Sequence, residues 1–228
     1  MSTLARPLKW PPIFPLDKGL VLWLPFDDRS GAKAYDRSGK GNHGTLYGPT
    51  WVAGRRGSAL SFDGVDDYAG LGTPANLMAL TFPMTITAWV NPVTLAQNGI
   101  IVSLDLTDAN SDYAFGIYTI QNEILLGRST YVKGLTGITT YLTAGKWQHW
   151  SIVFVDTTHI YFYLDGVLLP LSDVDTYYSC EFNNIGARSN GAEQQFKGVI
   201  GEVRIYNRAL TAAEIKRRYE SELMLVRH

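Results

Sequence analysis

The sequence predicts an all-β protein, one antiparallel sandwich of two sheets followed by a single short helix near the C-terminus. Three observations predict it. Apolar residues recur at period two in short runs. The runs are separated by turns rich in Gly, Asp and Asn, with 22 glycines among 228 residues. One segment alone, beginning at Thr211, carries helix-start chemistry. A 46% hydrophobic chain of this length can bury a substantial core, and all-β sandwiches reach this size as one domain.

The elements follow in chain order. Residues 1–17 hold Pro7, Pro11, Pro12 and Pro15. Proline lacks an amide donor and fixes the backbone near polyproline II, so this stretch predicts an extended arm and excludes a helix or an inner strand. Trp10, Ile13 and Phe14 are its apolar anchors, either on a neighbouring subunit or folded back on the domain. Residues 18–228 read as the domain itself. The apolar run 19–26 is too short to cross a bilayer and reads as the first strand, and no secretory signal is evident before it.

In residues 84–90, Met84, Ile86, Ala88 and Val90 alternate with Thr85, Thr87 and Trp89. Residues 150–155 and 160–164 are β-branched and aromatic, and the second run enters Asp165-Gly166, a two-residue hairpin signal, before Val167-Leu168-Leu169. Residues 199–206 form the last strand. Thr211 and Glu214 have the spacing of a capping box, with Leu210 and Ile215 placed as a hydrophobic staple, for a helix ending near Ser221.

Composition excludes several classes. The formal charge of −1, from 20 basic and 21 acidic residues, lacks the basic patch that nucleic-acid binding requires. One cysteine, Cys180, rules out an internal disulfide framework and reads as a small buried residue. No long apolar segment predicts membrane insertion.

The densest motif is Asp36-Arg37-Ser38-Gly39-Lys40-Gly41-Asn42-His43-Gly44. Asp36 and Asn42 offer hard oxygen ligands in a tight turn, a composition that suits calcium and equally an ordinary turn. It is not a phosphate loop, because Gly-Lys-Ser/Thr is missing and no helix follows.

This loop resembles the Asp-x-Ser-Gly-x-Gly-Asn-x-Gly segment of laminin-G-like jelly-roll domains, which are concanavalin A-like sandwiches. Other segments resemble that family in the same order. They are the hairpin from Gly57 to Tyr68, the strand Thr87-Ala88-Trp89-Val90-Asn91-Pro92, the run Ala144-Gly145-Lys146-Trp147-Gln148-His149, the turn Leu164-Asp165-Gly166, and Gly201-Glu202-Val203-Arg204-Ile205-Tyr206-Asn207-Arg208-Ala209-Leu210. The likeness spans roughly residues 20–221. It implies a two-sheet antiparallel jelly roll of about a dozen strands. It also implies one structural calcium ion held by Asp27, Asp36, Asn42 and the segment Gly201-Glu202. The family has Asp where this chain has Gly201, so a backbone carbonyl alone remains there, with Asp28 or Glu202 as substitutes.

A catalytic constellation is not visible. Asp63, Asp66 and Asp67 read as a polar hairpin tip, and Glu123, Glu181, Glu193 and Glu202 are scattered singly, unlike the paired carboxylates of glycoside hydrolysis. His43, His149, His159 and His228 lie apart, with no serine elbow, and His149 reads as a half-buried strand residue. Tyr113, Tyr118, Tyr131, Tyr141, Tyr177 and Tyr178 fall near loops and edges, where a flat ring with a polar handle suits sugars, protein interfaces or simple packing.

The expected function is therefore a non-catalytic recognition or assembly module, a surface-exposed structural subunit of a virion or an extracellular assembly. Its arm would contact copies of itself or neighbouring subunits, and its loops would face surface glycans. The alternatives are a free lectin-like carbohydrate-binding protein and, third, a glycoside hydrolase.

Overall fold

The computed structural model describes residues 17–95, 99–104, 113–118, 123–128, 131–135, 141–156, 158–173, 182–187 and 194–224. The arm anchors Trp10, Ile13 and Phe14 lie outside the described residues, as do Cys180, Tyr177, Tyr178, Glu181, Glu193 and His228.

Among the described residues there are sixteen strands and two helices. The first half holds β1 (Leu20–Leu24), β2 (Lys33–Ala34), β3 (Gly44–Tyr47), β4 (Thr50–Ala53), β5 (Ser58–Asp63), β6 (Tyr68–Gly70), α1 (Ala75–Met78), β7 (Met84–Pro92) and β8 (Gly99–Leu104). The second holds β9 (Tyr113–Tyr118), β10 (Glu123–Arg128), β11 (Tyr131–Leu135), β12 (Gln148–Phe154), β13 (Ile160–Leu164), β14 (Val167–Asp173), β15 (Phe182–Ile185), β16 (Lys197–Tyr206) and α2 (Ala212–Met224).

Two antiparallel eight-stranded sheets result. One runs β14-β13-β12-β7-β16-β5-β4, with β1 also paired to β16, and the other runs β11-β10-β9-β8-β15-β6-β3-β2. Between them lies the main core, where Leu22, Leu60, Ile86, Val90, Trp150, Phe162 and Ile205 from the first sheet join Ala69, Ile101, Val102 and Ile185 from the second. The expected jelly-roll sandwich is what the chain forms.

Three local signals act as their chemistry requires. Asp165 and Gly166 both take positive φ, 50° and 78°, and join β13 to β14 with Leu164 opposite Val167, the backbone that a tight hairpin demands. The capping box closes in both directions: the Thr211 amide donates to Glu214 at 2.9 Å, and the Glu214 amide donates to Thr211 Oγ1 at 3.3 Å. Leu210 and Ile215 are both buried in one cluster, so the staple is formed.

Three details differ from the sequence reading. α2 runs to Met224, one turn beyond the expected end. The one-turn helix α1 was not foreseen, and its N-cap, Pro74, makes no side-chain cap bond and no acid occupies its first turn. More consequentially, β7 alternates in polarity as expected, yet both of its faces are buried. α2 lies over the outer face of the first sheet, where Leu210 and Ile215 pack with Leu20, Val153, Tyr163 and Tyr206. The helix is a third layer on the sandwich. No helix among the described residues is long and apolar enough to cross a membrane.

Candidate functional site

The glycine-rich loop is a clamp on β1. Asp36 accepts from the Trp23 amide at 2.9 Å, the Ser38 amide at 2.8 Å, Ser38 Oγ at 2.7 Å and the Asn42 amide at 2.9 Å. Asn42 Nδ2 in turn donates to the Val21 carbonyl at 2.8 Å. A carboxylate has about four lone-pair sites, so those of Asp36 are filled.

The other residues of the expected calcium set lie elsewhere. Asp27 sits beside Arg37 at 3.9 Å with one buried oxygen lacking a hydrogen bond, and burial followed by the neighbouring Asp28 pushes its pKa up. Glu202 pairs with Arg204 at 2.5 Å. Gly201 falls at a bulge of β16 beneath Trp147, where a Cβ would stand 3.2 Å from the indole. A family-like Asp could not project there unless that ring moved. Asp36 and Asn42 are brought together, whereas Asp27, Asp36 and Glu202 do not gather into a three-carboxylate group within 4.8 Å. Among the described residues the three-carboxylate group with ligand atoms within 4.8 Å of one another is Asp63, Asp66 and Asp67 instead.

That acidic trio lies in the β5–β6 connection, which is not the expected hairpin: β5 pairs with β4 and β16 in one sheet and β6 with β3 and β15 in the other, so the chain crosses between sheets here. Asp63 and Asp66 are exposed, whereas Asp67 is buried and accepts from the Asp63 amide at 2.8 Å. Beside it Tyr47 and Tyr68, directly paired across β3 and β6, stack with centroids 4.5 Å apart at 11°.

Beneath α2 lies a buried charge cluster that sequence reading missed. Trp89 Nε1 and Arg204 Nη1 both donate to the Glu222 carboxylate, and Arg55 stacks on the Trp89 ring at 3.6 Å while donating to the Glu222 carbonyl. Burial, with Glu222 adding, raises the pKa of Glu202. Burial, the largest single influence, would raise Glu222 too, but Arg204, His149, the Trp89 N–H and Arg218 together outweigh it and hold that carboxyl low. His149, expected to be half-buried, is 1% exposed with neither ring nitrogen hydrogen-bonded, because α2 seals this face. Burial drops its pKa from 6.5 to about 4. The two carboxylates converge on Arg204 rather than on a groove, and their side chains are 15% and 6% exposed.

A concave site opens at the edge where β1 begins, β16 ends and β7 starts. It is a cleft of about 400 Å³ lined by Val21, Lys40, Asn76, Ala79, Leu80, Thr81, Phe82, Pro83 and Asn207. That volume falls within the range of small-molecule sites, roughly 300–1,000 Å³. Each wall is anchored. The Asn207 amide donates to the Gly19 carbonyl at 2.8 Å, and the Lys40 amide donates to Ser38 Oγ at 3.2 Å, within the Asp36 clamp. Phe82 stacks on the buried Phe154 at 5.5 Å. Lys40, Asn76, Thr81 and Asn207 are exposed, and Val21 and Leu80 form a buried apolar floor. The sequence contains no single signal for this cleft, because its walls come from four separate segments.

Comparisons with known proteins agree with this architecture. A family model described as the concanavalin A-like lectin/glucanases superfamily matches residues 63–216. Domain 4 of the extracellular arabinanase AbnA of Geobacillus stearothermophilus, solved with arabinotriose, superposes with a TM-score of 0.69 at 20% identity, covering 87% of this chain and 97% of that one. Trypanosoma rangeli sialidase, solved with sialic acid, gives 0.66 at 19% identity, covering 91% of this chain and only 33% of the sialidase. The binding domain of Paraclostridial Mosquitocidal Protein 1 gives 0.64 at 16% identity over 91% of this chain and 53% of that one. At these identities the likeness is one of fold. No match was found among curated protein sequences.

Proposed function

Since the chain belongs to the concanavalin A-like lectin/glucanases superfamily, we propose that it is a non-catalytic carbohydrate-recognition module whose binding site is the cleft over Val21 and Leu80. One observation carries this reading. Exposed Asn76, Asn207, Thr81 and Lys40 line the cleft together with the buried apolar Val21 and Leu80. A sugar presents hydroxyls that both donate and accept, together with an apolar C–H face. Amides and hydroxyls answer the first requirement and the floor answers the second. Arabinotriose, in complex with the solved arabinanase domain that this chain covers almost entirely, lends support from the same fold.

Two features support a role without catalysis. The Glu202 and Glu222 carboxylates are engaged by Arg204 under α2, and the Asp63, Asp66, Asp67 trio sits in the turn that carries the chain from one sheet to the other, with Asp67 buried and bonded to the Asp63 amide. Glycoside hydrolysis needs two carboxylates about 5–10 Å apart across a bound sugar.

The test is a glycan array with the full chain, followed by titration calorimetry of the best hit against wild type and Asn76→Ala. Loss of one neutral hydrogen bond weakens binding about threefold to tenfold. Absence of any glycan hit, or an unchanged affinity in N76A, would overturn the reading.

A second reading, an assembly subunit joined to neighbours by its arm, is favoured by how the domain begins. Asp17 pairs with Arg218 of α2 at 2.6 Å and the Lys18 carbonyl accepts from Arg208 at 2.6 Å, so the segment that follows the arm is tied to the C-terminal end of the domain. Light scattering of a chain lacking residues 1–16 tests it. Unchanged particle size counts against the arm as an assembly device.

A further inference from the structure

The carbohydrate reading leaves open which sugars the cleft would take, and its charge distribution addresses that. Among the residues that line it, Lys40 carries the one formal charge; Asn76, Thr81 and Asn207 are neutral, and the rest are apolar. Neighbouring charges are already paired. Asp36 is saturated by its four donors, and Arg37 is bound to Asp28 at 2.8 Å. Arg208, next to Asn207, is forked onto Glu214 through two bonds of 3.0 and 2.8 Å. Lys40 makes no ion pair among the described residues, so the single charge in the lining is uncompensated. Its backbone is tied to the loop through its amide, which donates to Ser38 Oγ at 3.2 Å, and Ser38 is in turn held by Asp36.

We infer that the cleft selects an anionic sugar, with Lys40 as the group that recognises its carboxylate or sulfate. This rests on the carbohydrate reading and deepens it. The chain's net charge of −1 gives no general attraction for anions, so any preference must arise locally at Lys40. An ammonium is a compact point charge with three rotatable donors, which suits one anionic group displayed on a ring and does not demand a planar partner. The amides of Asn76 and Asn207 then hold the ring hydroxyls, and Val21 and Leu80 its apolar face.

The experiment uses the full chain on an array carrying sialylated, uronate-containing, sulfated and neutral glycans. The best hit is then titrated against wild type and Lys40→Gln, first at low and then at high salt. If that hit is a carboxylate, its methyl ester is titrated as well. Anionic hits are expected, with the sialylated and uronate arms separating carboxylate from sulfate recognition. K40Q should weaken binding about tenfold or more, esterification should weaken it similarly in wild type, and neither change should weaken the other further. The wild-type affinity should also fall with salt. An array that lights only neutral glycans, or a K40Q protein with unchanged affinity for the anionic hit, overturns the anionic assignment while leaving carbohydrate recognition standing. No hit of any kind overturns both. Lys40 is exposed and its only described bond comes from the backbone, so the substitution does not disturb folding.

Discussion

The indole of Trp89, in the middle of β7, donates its Nε1 hydrogen to the carboxylate of Glu222 near the end of α2, across 133 positions of sequence. That bond joins the most central strand of the first sheet to the last helix. Arg204 on the adjacent strand β16 binds the same carboxylate. The cluster is what seats α2 as a third layer.

Glu222→Gln should therefore be costly. It removes the negative charge that compensates Arg204 in a buried site, and breaking one partner of a buried pair costs about 3–5 kcal/mol. Urea denaturation of wild type and E222Q measures it. A difference below about 1 kcal/mol would mean that Glu202 alone satisfies Arg204.

His149 should make stability depend on acid. Its pKa lies at about 4 when folded, against 6.5 ordinarily, because burial disfavours the imidazolium. Above pH 6.5 both states are neutral. As pH falls from 6.5 to 4 the unfolded chain takes up a proton that the folded chain refuses, so stability drops, by about 3 kcal/mol at 1.36 kcal/mol per pH unit. Glu202, raised by burial above its ordinary 4.5, acts with the opposite sign, because the folded chain keeps a proton that the unfolded chain releases as pH rises. Comparing wild type with His149→Phe cancels that contribution. The H149F protein should lose less stability between pH 6.5 and 4, and parallel curves would refute the assignment.

Thr211, the N-cap of α2, is exposed and its hydroxyl bonds only Glu214, so its contribution should be separable. Thr211→Ala removes the acceptor for the Glu214 amide and should destabilise by about 1 kcal/mol in thermal or urea melts. A neutral effect would show that packing of Leu210 and Ile215 alone holds the helix end.

Calcium removal should do little. The lone pairs of Asp36 are filled by four donors, Glu202 is paired to Arg204 and Trp147 lies over Gly201, which leaves few free ligand atoms in the five-residue set. A structural ion at one hundred times its dissociation constant adds about 2.7 kcal/mol, worth several degrees in a chain of this size. Melting curves with EDTA and with added calcium are expected to coincide, and a calcium-dependent rise of about 5 °C or more would restore the ion.

Where sequence and structure meet, the division is physical. Asp165-Gly166, Thr211 with Glu214, and the alternation in β7 were all legible, because each depends on residues within a few positions of one another. The turn needs positive φ at two adjacent sites, the cap needs one reciprocal pair, and the strand needs period two. Together with the family-like segments they were enough for a two-sheet antiparallel sandwich with a C-terminal helix.

What only the tertiary structure decided is which surfaces meet. Nothing local says that α2 returns to cover Trp89 and His149, so a histidine read as half-buried is sealed and its pKa falls. Nothing local says that Trp147 lies over Gly201, which closes the position where the family has its aspartate. The cleft, likewise, exists because Val21, Lys40, Asn76 and Asn207 are carried to one edge by antiparallel pairing of β1, β16 and β7. Short-range signals are written in neighbouring residues and survive any arrangement. Burial, field and concavity belong to segments far apart in the chain, and they come into being only when the layers close.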